Sequence, residues 1–180
     1  MLVNASGIGM NSAVLDEGRD KLVAALTSGS IHWFADWPCG DVPRSGAVVY
    51  TVWNRQGAFI YVGMSGRGFT GAPEGNGKAG PWGRLNSHAS GRRSGDQFCV
   101  YVADRLVLPM LHNRISELAD GSMSLDTATR EYIRTNLGFR WVAVASGAAA
   151  GTLERQFQVG EAGTGKPLLN PLGRRGSSSK

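Results

Sequence analysis

Two short apolar segments separated by a turn constrain the fold of this chain more than any other feature. Residues 47–53 are Ala-Val-Val-Tyr-Thr-Val-Trp, and residues 58–63 are Ala-Phe-Ile-Tyr-Val-Gly. Both segments are rich in β-branched and aromatic residues, and the Asn54-Arg55-Gln56-Gly57 stretch between them is typical of a turn. The pattern therefore predicts a β-hairpin.

Hydrophobic periodicity and helix-capping residues predict the elements around this hairpin. Ser124 is a candidate N-cap for one helix, and Gly138 is the candidate residue that ends it. The chain is therefore predicted to be α+β, with a small antiparallel sheet of about three strands flanked by helices. Predicted helices span 13–28, 82–90, Pro109 to Gly121, 125–137 and 149–159, and further predicted strands span 97–103 and 139–145.

The composition indicates a folded chain with a positive charge. The 180 residues are 42% hydrophobic, which is enough for one core and short for two. The formal net charge is +5, and only four of the 19 basic residues are lysines. Arginine-rich positive charge favours a polyanionic partner, although a charge of this size also aids solubility. Cys39 and Cys99 lack metal-binding or disulfide spacing, and Cys99 is predicted to be a core thiol.

The sequence also bears on membrane association. It contains no apolar stretch long enough to cross a bilayer. The first segment carries Asp16 and Glu17 and lacks the apolar run of a signal peptide. We therefore expect a cytoplasmic protein that does not associate with membranes.

Residues capable of chemistry recur along the chain from the hairpin onward. Tyr50 and Tyr61 lie one on each predicted strand, so both can face the same side of the sheet. Gly63 follows the second tyrosine closely and leaves room for a backbone turn or a ligand. Arg84 and His88 are four residues apart, a spacing that places both on one face of a helix. Two later polar residues are Glu154, among small residues and Leu153, and Asn170, between Leu169 and Pro171.

In this order the residues resemble the pattern of the GIY-YIG nuclease superfamily, over about residues 47–172. The resemblance implies a sheet of three antiparallel strands flanked by helices, and Mg²⁺- or Mn²⁺-dependent hydrolysis of phosphodiesters. It divides the chain into an N-terminal helix and aromatic link (1–46), a nuclease-like domain (47–172) and a basic, serine-rich tail (173–180). The residues that match the family's site are Tyr50, Tyr61, Arg84, His88, Glu154 and Asn170, with Glu154 as the metal ligand.

The chain departs from the family pattern in its first motif and in the stretch after Gly63. The first motif is Val-Val-Tyr where the family has Gly-Ile-Tyr, at positions expected to point into a strand core. The stretch between Gly63 and Arg84 is longer than is typical, and it contains Arg67 as an alternative phosphate-binding arginine. We favour Arg84 because His88 follows it at the family's spacing.

The sequence leaves the proton chemistry open. Tyr50 is the predicted general base, but a free tyrosine has a pKa of about 10 and is a poor base at neutral pH. His88 is an alternative acceptor of the proton from Tyr50 or from water. Tyr61 is expected to position the phosphate or the water, and Asn170 to orient Glu154 or a loop.

A nucleic-acid partner, with DNA favoured over RNA, is expected for a monomeric or homodimeric enzyme of the restriction, defence, mobile-element or repair type. The alternative is a non-catalytic nucleic-acid-binding module on the same fold. A strand-exchange enzyme is less favoured, because residues 1–46 are too few for a targeting domain. Further candidate contacts to the nucleic acid are Arg67, Lys78, Arg92, Arg93, Trp33 and Trp37.

Overall fold

The structure, a computed structural model, describes residues 9–71 and 80–170, with side chains from residue 18 onward. Lys78 and the predicted tail at 173–180 lie outside the described residues. The strands are β1 (His32–Trp33), β2 (Ala47–Asn54), β3 (Phe59–Ser65) and β4 (Leu137–Val144). The α-helices are α1 (Gly9–Ser28), α2 (Pro81–Ser90), α3 (Gln97–Val102), α4 (Leu108–Met110), α5 (Ile115–Ala119), α6 (Leu125–Asn136) and α7 (Gly147–Val159).

One antiparallel sheet contains the four strands in the order β1, β4, β2, β3. The predicted hairpin is confirmed, because β2 pairs with β3 across the predicted turn. The predicted α+β class is also confirmed. The sheet has four strands where about three were expected, because three predicted segments enter it and the two-residue β1 in the aromatic link also pairs with β4.

Helices cover both faces of the central strand β2, which explains why its sequence is almost continuously apolar. Val48, Tyr50 and Val52 join a core with residues of α2, α3 and α6. Val49 and Trp53 join a second core with residues of α1 and α7. The hydroxyl of Thr51 donates to the backbone oxygen of Leu26 at 2.6 Å, which ties the N-terminal helix to the sheet.

The strand predicted at 97–103 is wrong, because this segment forms α3 and the start of the π-helical turn Ala103–Val107. Its buried residues, Phe98, Cys99 and Val102, recur at the spacing of a helix face. Asp96 caps the helix by accepting a hydrogen bond from the backbone N–H of Phe98. The apolar composition suits a strand or a helix, and packing against α2 and α6 decides for the helix. Cys99 is fully buried, as predicted.

Two other helix boundaries differ from the prediction. The helix predicted from Pro109 to Gly121 is interrupted, since Leu111 and Arg114 leave helical geometry between α4 and α5. Ser124 caps α6 as predicted, but Gly138 does not end it. The chain becomes extended at Leu137, and Gly138 lies in β4, where an added Cβ would come within 2.8 Å of the Trp33 ring.

Candidate active site

A pocket of about 360 Å³ lies where β3 ends at the edge of the sheet. Its lining comes from β2, from β3 with the segment that follows it, from α2 and from α7, so four separate parts of the chain meet there. We call it the tyrosine pocket. It is lined by Tyr50, Tyr61, Met64, Ser65, Gly66, Arg67, Arg84 and Glu154.

Tyr50 reaches the tyrosine pocket by crossing over a glycine. It pairs with Gly63 in the register of β2 and β3, and a Cβ added to Gly63 would meet the Tyr50 hydroxyl and come within 2.6 Å of Cζ. Gly63 lies inside β3 rather than at a turn, so its missing side chain makes room for the tyrosine. The glycine of the second motif therefore positions the tyrosine of the first motif.

Tyr61 lies beside Tyr50 on the same face of the hairpin, with 6.4 Å between ring centroids. Its ring also packs on Phe98 at 5.0 Å. Burial raises the pKa of both tyrosines, and the negative charge of Glu154 adds to the rise in each case. Both phenols therefore carry their protons at neutral pH.

Arg84 and His88 lie four residues apart on the same side of α2, but they differ in burial. Arg84 is exposed and lines the tyrosine pocket, whereas His88 is buried behind Tyr50. The Tyr50 hydroxyl and His88 Nε2 are 2.7 Å apart. His88 therefore reaches the tyrosine pocket through Tyr50.

Asp96 is a member of this region that the sequence analysis missed. Its Oδ2 lies 2.6 Å from Nδ1 of His88, and both side chains are almost completely buried. Burial acts to raise the pKa of Asp96. The hydrogen bond from His88, the positive charge of a protonated His88 and the backbone N–H groups of Cys99 and Phe98 outweigh burial, so the pKa of Asp96 is lowered. The signal available in the sequence was an N-cap aspartate just before an apolar run, which the strand prediction for 97–103 obscured.

Glu154 is positioned by α7, which begins at the capping residue Ser146 and packs on β3 and β2. One face of this helix is buried through Ala150, Leu153 and Phe157. Glu154 lies next to Leu153 and lines the tyrosine pocket. Burial raises the pKa of Glu154, while the charges of Arg67 and Arg84 act in the opposite direction. The carboxylate is therefore partly desolvated and lies within the field of two cations.

The structure brings both candidate arginines to the tyrosine pocket. Arg67 follows β3 in a segment that is tied to the start of α7, because the backbone N–H of Gly147 donates to the Phe69 oxygen at 2.8 Å. An added Cβ at Gly147 would clash with the Arg67 backbone, so the two segments are in close contact. The sequence left a choice between Arg84 and Arg67, but in the structure both arginines lie near the carboxylate of Glu154.

Asn170 does not line the tyrosine pocket, and of its two expected roles, orienting Glu154 or orienting a loop, its contacts fit the second. Its Oδ1 accepts from the backbone N–H of Val62 at 2.7 Å, and its Nδ2 donates to the Val62 oxygen at 2.8 Å. The backbone N–H groups of Leu168 and Leu169 also donate to oxygens of β3. Asn170 therefore anchors the C-terminal segment along the open edge of the sheet.

The two tryptophans predicted to contact nucleic acid both pack against other side chains of the protein. Trp37 is 7% exposed, packs on Trp82 with 5.5 Å between ring centroids, and donates from Nε1 to Asn86. Trp33 is half-buried, and the guanidinium of Arg55 lies 4.4 Å from its ring centroid. These placements argue against base stacking by Trp37 and leave Trp33 largely covered.

Arg92 and Arg93 are the other basic candidates among the described residues, and neither lines the tyrosine pocket. Arg92 and Arg93 follow α2 and are exposed, and Arg93 donates to Asp126 at 2.7 Å. An exposed pair of this kind contributes little to stability. Their positions are compatible with contacts to a phosphate backbone beyond the tyrosine pocket.

A larger hollow of about 650 Å³ lies between the π-helical turn, α4 and α6, and we call it the helical hollow. Its lining is mostly apolar, including Val107, Met110 and Tyr132. Its charged members, Arg114 and Glu131, are exposed, and none of the predicted site residues lines it. Size alone favours the helical hollow, but convergent charge and buried polar groups favour the tyrosine pocket as a site of chemistry.

Two places in the described part of the chain offer side chains of a type that binds metal ions. Glu154 is the single carboxylate among the described residues lining the tyrosine pocket. Donor atoms of His32, Cys39 and Asp41 lie within 4.8 Å of one another in the aromatic link, away from the tyrosine pocket lining. Asp41 is exposed, and Cys39 Sγ lies at hydrogen-bond distance, 3.5 Å, from His32 Nδ1.

Comparison of the chain with protein-family models, curated proteins and solved structures found no match. Within the described ranges, no helix combines the length and the apolar character needed to cross a membrane.

Proposed function

We propose that this protein is a metal-dependent endonuclease of the GIY-YIG type that hydrolyses phosphodiester bonds, with DNA favoured over RNA. The observation that carries the proposal is the tyrosine pocket, where Tyr50, Tyr61, Arg84 and Glu154 converge from four elements. The sequence pattern selects these same four residues. A structural explanation for each residue alone does not account for their meeting in one polar pocket.

The charges around the tyrosine pocket suit an anionic substrate. A phosphodiester resists nucleophilic attack because its oxygens are already negative, and catalysis has to neutralise that charge. Arg84 and Arg67 both line the tyrosine pocket, and a guanidinium can bind two phosphate oxygens at once. We propose that Arg84 binds the scissile phosphate and that Arg67 contributes to the same or the neighbouring phosphate.

The donor set of the tyrosine pocket fits a hard divalent cation. Mg²⁺ is commonly held by one or two carboxylates together with substrate phosphate and water, and Glu154 is the carboxylate here. We propose that Glu154 holds Mg²⁺ or Mn²⁺, which would supply positive charge at the phosphate oxygens. Burial raises the pKa of Glu154, as expected for a carboxylate that is partly removed from water.

The tyrosines supply the groups nearest the reacting atoms. Tyr50 is the proposed acceptor of the proton from the attacking water, since it lines the tyrosine pocket and its hydroxyl lies 2.7 Å from His88 Nε2. Tyr61 is the proposed donor that positions the phosphate or the water. Because burial raises the pKa of Tyr50, a standing phenolate does not account for base catalysis, and the proton of Tyr50 has to move to another group.

The proposal is tested by incubating purified protein with single-stranded DNA, double-stranded DNA and RNA, each with Mg²⁺, Mn²⁺ or EDTA. Glu154→Gln removes the carboxylate charge with little change of shape, and Glu131→Gln is the matched control in the helical hollow. We expect metal-dependent cutting by the wild type and by Glu131→Gln, and none by folded Glu154→Gln.

Each outcome of this experiment separates the alternatives. Binding without cutting in every condition would refute the nuclease and favour the nucleic-acid-binding module. Cutting that survives Glu154→Gln would remove Glu154 as the metal ligand. Cutting of both strands of a duplex by a monomer in solution would argue against a requirement for a homodimer.

A further inference from the structure

Three buried side chains form a continuous hydrogen-bonded chain behind the tyrosine pocket. Asp96 Oδ2 lies 2.6 Å from His88 Nδ1, and His88 Nε2 lies 2.7 Å from the Tyr50 hydroxyl. The side chains of His88 and Asp96 are 2% and 1% exposed, and Tyr50 as a whole is 2% exposed. Among these residues only Tyr50 lines the tyrosine pocket.

The geometry assigns a direction to these hydrogen bonds. An ionised carboxylate can only accept, so Asp96 requires the proton of a neutral His88 ring to be on Nδ1. Nε2 is then a lone-pair acceptor, and the Tyr50 hydroxyl is the group that donates to it. The opposite tautomer would place two lone pairs, from Asp96 and from Nδ1, against each other in a buried site.

Asp96 is itself held by the fold. Its second oxygen, Oδ1, accepts from the backbone N–H of Phe98 at 3.0 Å at the start of α3. Gly91 follows α2 with a positive φ and lies close to the backbone of Arg130, so the helix ends between His88 and Asp96. The two oxygens of Asp96 thus have separate tasks, one in capping a helix and one in fixing an imidazole.

We propose that Asp96 is a positioning residue that holds His88 in the Nδ1–H tautomer, so that Nε2 receives the phenolic proton of Tyr50 while Tyr50 takes a proton from the attacking water. This inference rests on the proposed nuclease function and deepens it. It also chooses between the two bases that the sequence leaves open, since Tyr50 and His88 act in series.

The proton transfers balance without an additional reactant. The water oxygen bonds to phosphorus as the bond from phosphorus to the leaving oxygen breaks, and the leaving oxygen takes a proton from solvent. One proton passes from the water to the Tyr50 oxygen, and the original Tyr50 proton passes to Nε2. His88 becomes an imidazolium next to the Asp96 carboxylate, which stabilises the new charge. Return of that proton to solvent through Tyr50 restores the starting state.

A purely structural role for Asp96, as the cap of α3, is the competing explanation. Asp96→Asn separates the two, because the amide oxygen can still cap Phe98 while the NH₂ group faces His88 Nδ1. The amide then favours the Nε2–H tautomer, which cannot accept a proton from Tyr50. Asp126→Asn is the matched control, since Asp126 is paired with Arg93 at the surface.

The first readout is the ring tautomer of His88 in full-length protein labelled with ¹⁵N-histidine. Long-range ¹H–¹⁵N spectra distinguish the two ring nitrogens, and loss of one set of signals in His88→Gln assigns them. We expect Nδ1–H in the wild type and in Asp126→Asn, and Nε2–H in Asp96→Asn. A wild-type His88 that carries its only proton on Nε2 would overturn the proposal even if Asp96→Asn did not fold.

The second readout is the single-turnover cleavage rate of Asp96→Asn, His88→Gln and the double variant. We expect Asp96→Asn to cut about 10²- to 10⁴-fold more slowly, the usual contribution of general acid–base catalysis. In the His88→Gln background the same substitution should have little further effect, because both changes interrupt one relay. A helix cap would instead slow cutting equally in both backgrounds and lower the unfolding temperature.

The failures of the two proposals are distinguishable. If the wild type cuts, Glu154→Gln does not and Asp96→Asn cuts at the wild-type rate, the nuclease stands and the relay is refuted. If the wild type cuts no nucleic acid, the nuclease is refuted, and the relay falls with it whatever tautomer His88 adopts.

Discussion

The tyrosine pocket and the helical hollow differ in size and in what lines them. The helical hollow is the larger, but its charged residues are exposed, and Arg114 is already paired with Glu117 at 2.6 Å. The tyrosine pocket has two arginines facing a partly buried glutamate and two tyrosines whose pKa values burial raises. A partly desolvated carboxylate is costly to maintain, so its position beside two arginines and two tyrosines indicates function more than volume does.

The largest difference expected between the tyrosine pocket and the helical hollow is the effect of arginine substitutions on the cleavage rate. Arg84→Ala should slow metal-dependent cutting by about 10²- to 10³-fold, because it removes a cation aimed at the developing charge. Arg67→Ala should have a smaller effect, and Arg114→Ala none. Single-turnover cleavage rates measure all three. A larger loss for Arg67→Ala than for Arg84→Ala would exchange the roles of the two arginines, and a loss for Arg114→Ala would break the comparison.

A glycine substitution tests whether Tyr50 needs the space above β3. Gly63→Ala should lower the free energy of unfolding by about 1–3 kcal/mol, since the added methyl overlaps a ring that is buried and hydrogen-bonded. Cutting should fall as well, because the Tyr50 hydroxyl has to move. Gly151→Ala in α7 is the matched control, with only an ordinary contact to Met64 at 3.9 Å. Denaturant unfolding should find that control unchanged or more stable by up to about 1 kcal/mol.

The anchor of the C-terminal segment is a test of stability outside the pocket. Asn170→Ala should cost about 1–2 kcal/mol of unfolding free energy, because the backbone N–H and C=O of Val62 both lose a partner. The cleavage rate of the folded variant should stay close to that of the wild type. A large loss of cutting with unchanged stability would return Asn170 to the catalytic site that the sequence resemblance assigns to it.

The smallest effect is expected at the other carboxylate. Glu131→Gln in the helical hollow should change the unfolding free energy by no more than about 0.5 kcal/mol, as is usual for an exposed position. Thermal unfolding and nucleic-acid binding measured side by side would check this. Weakened nucleic-acid binding by this variant would mean that the helical hollow takes part in recognition. Function would then not be confined to the tyrosine pocket.

The order of residues in the sequence predicted which side chains of the candidate site share a face. It did not predict which of them are buried and which are exposed. The hairpin pattern placed Tyr50 and Tyr61 on one face, and the register of β2 and β3 confirms that placement. The sequence could not show that His88 lies behind Tyr50 while Arg84 is exposed. Both follow from helical spacing on α2, but which one is buried depends on the orientation of the helix against the sheet.

The sequence by itself determined the elements whose local signals agree, namely the hairpin, β4, α2, α7 and the N-capped helix α6. Turn residues, periodicity and caps act over a few residues and need no distant partner. Tertiary structure decided between strand and helix at 97–102, and it alone decided the contact between Asp96 and His88. An apolar segment adopts whichever conformation buries it best against its neighbours, and two polar groups become partners only when the fold removes both from water.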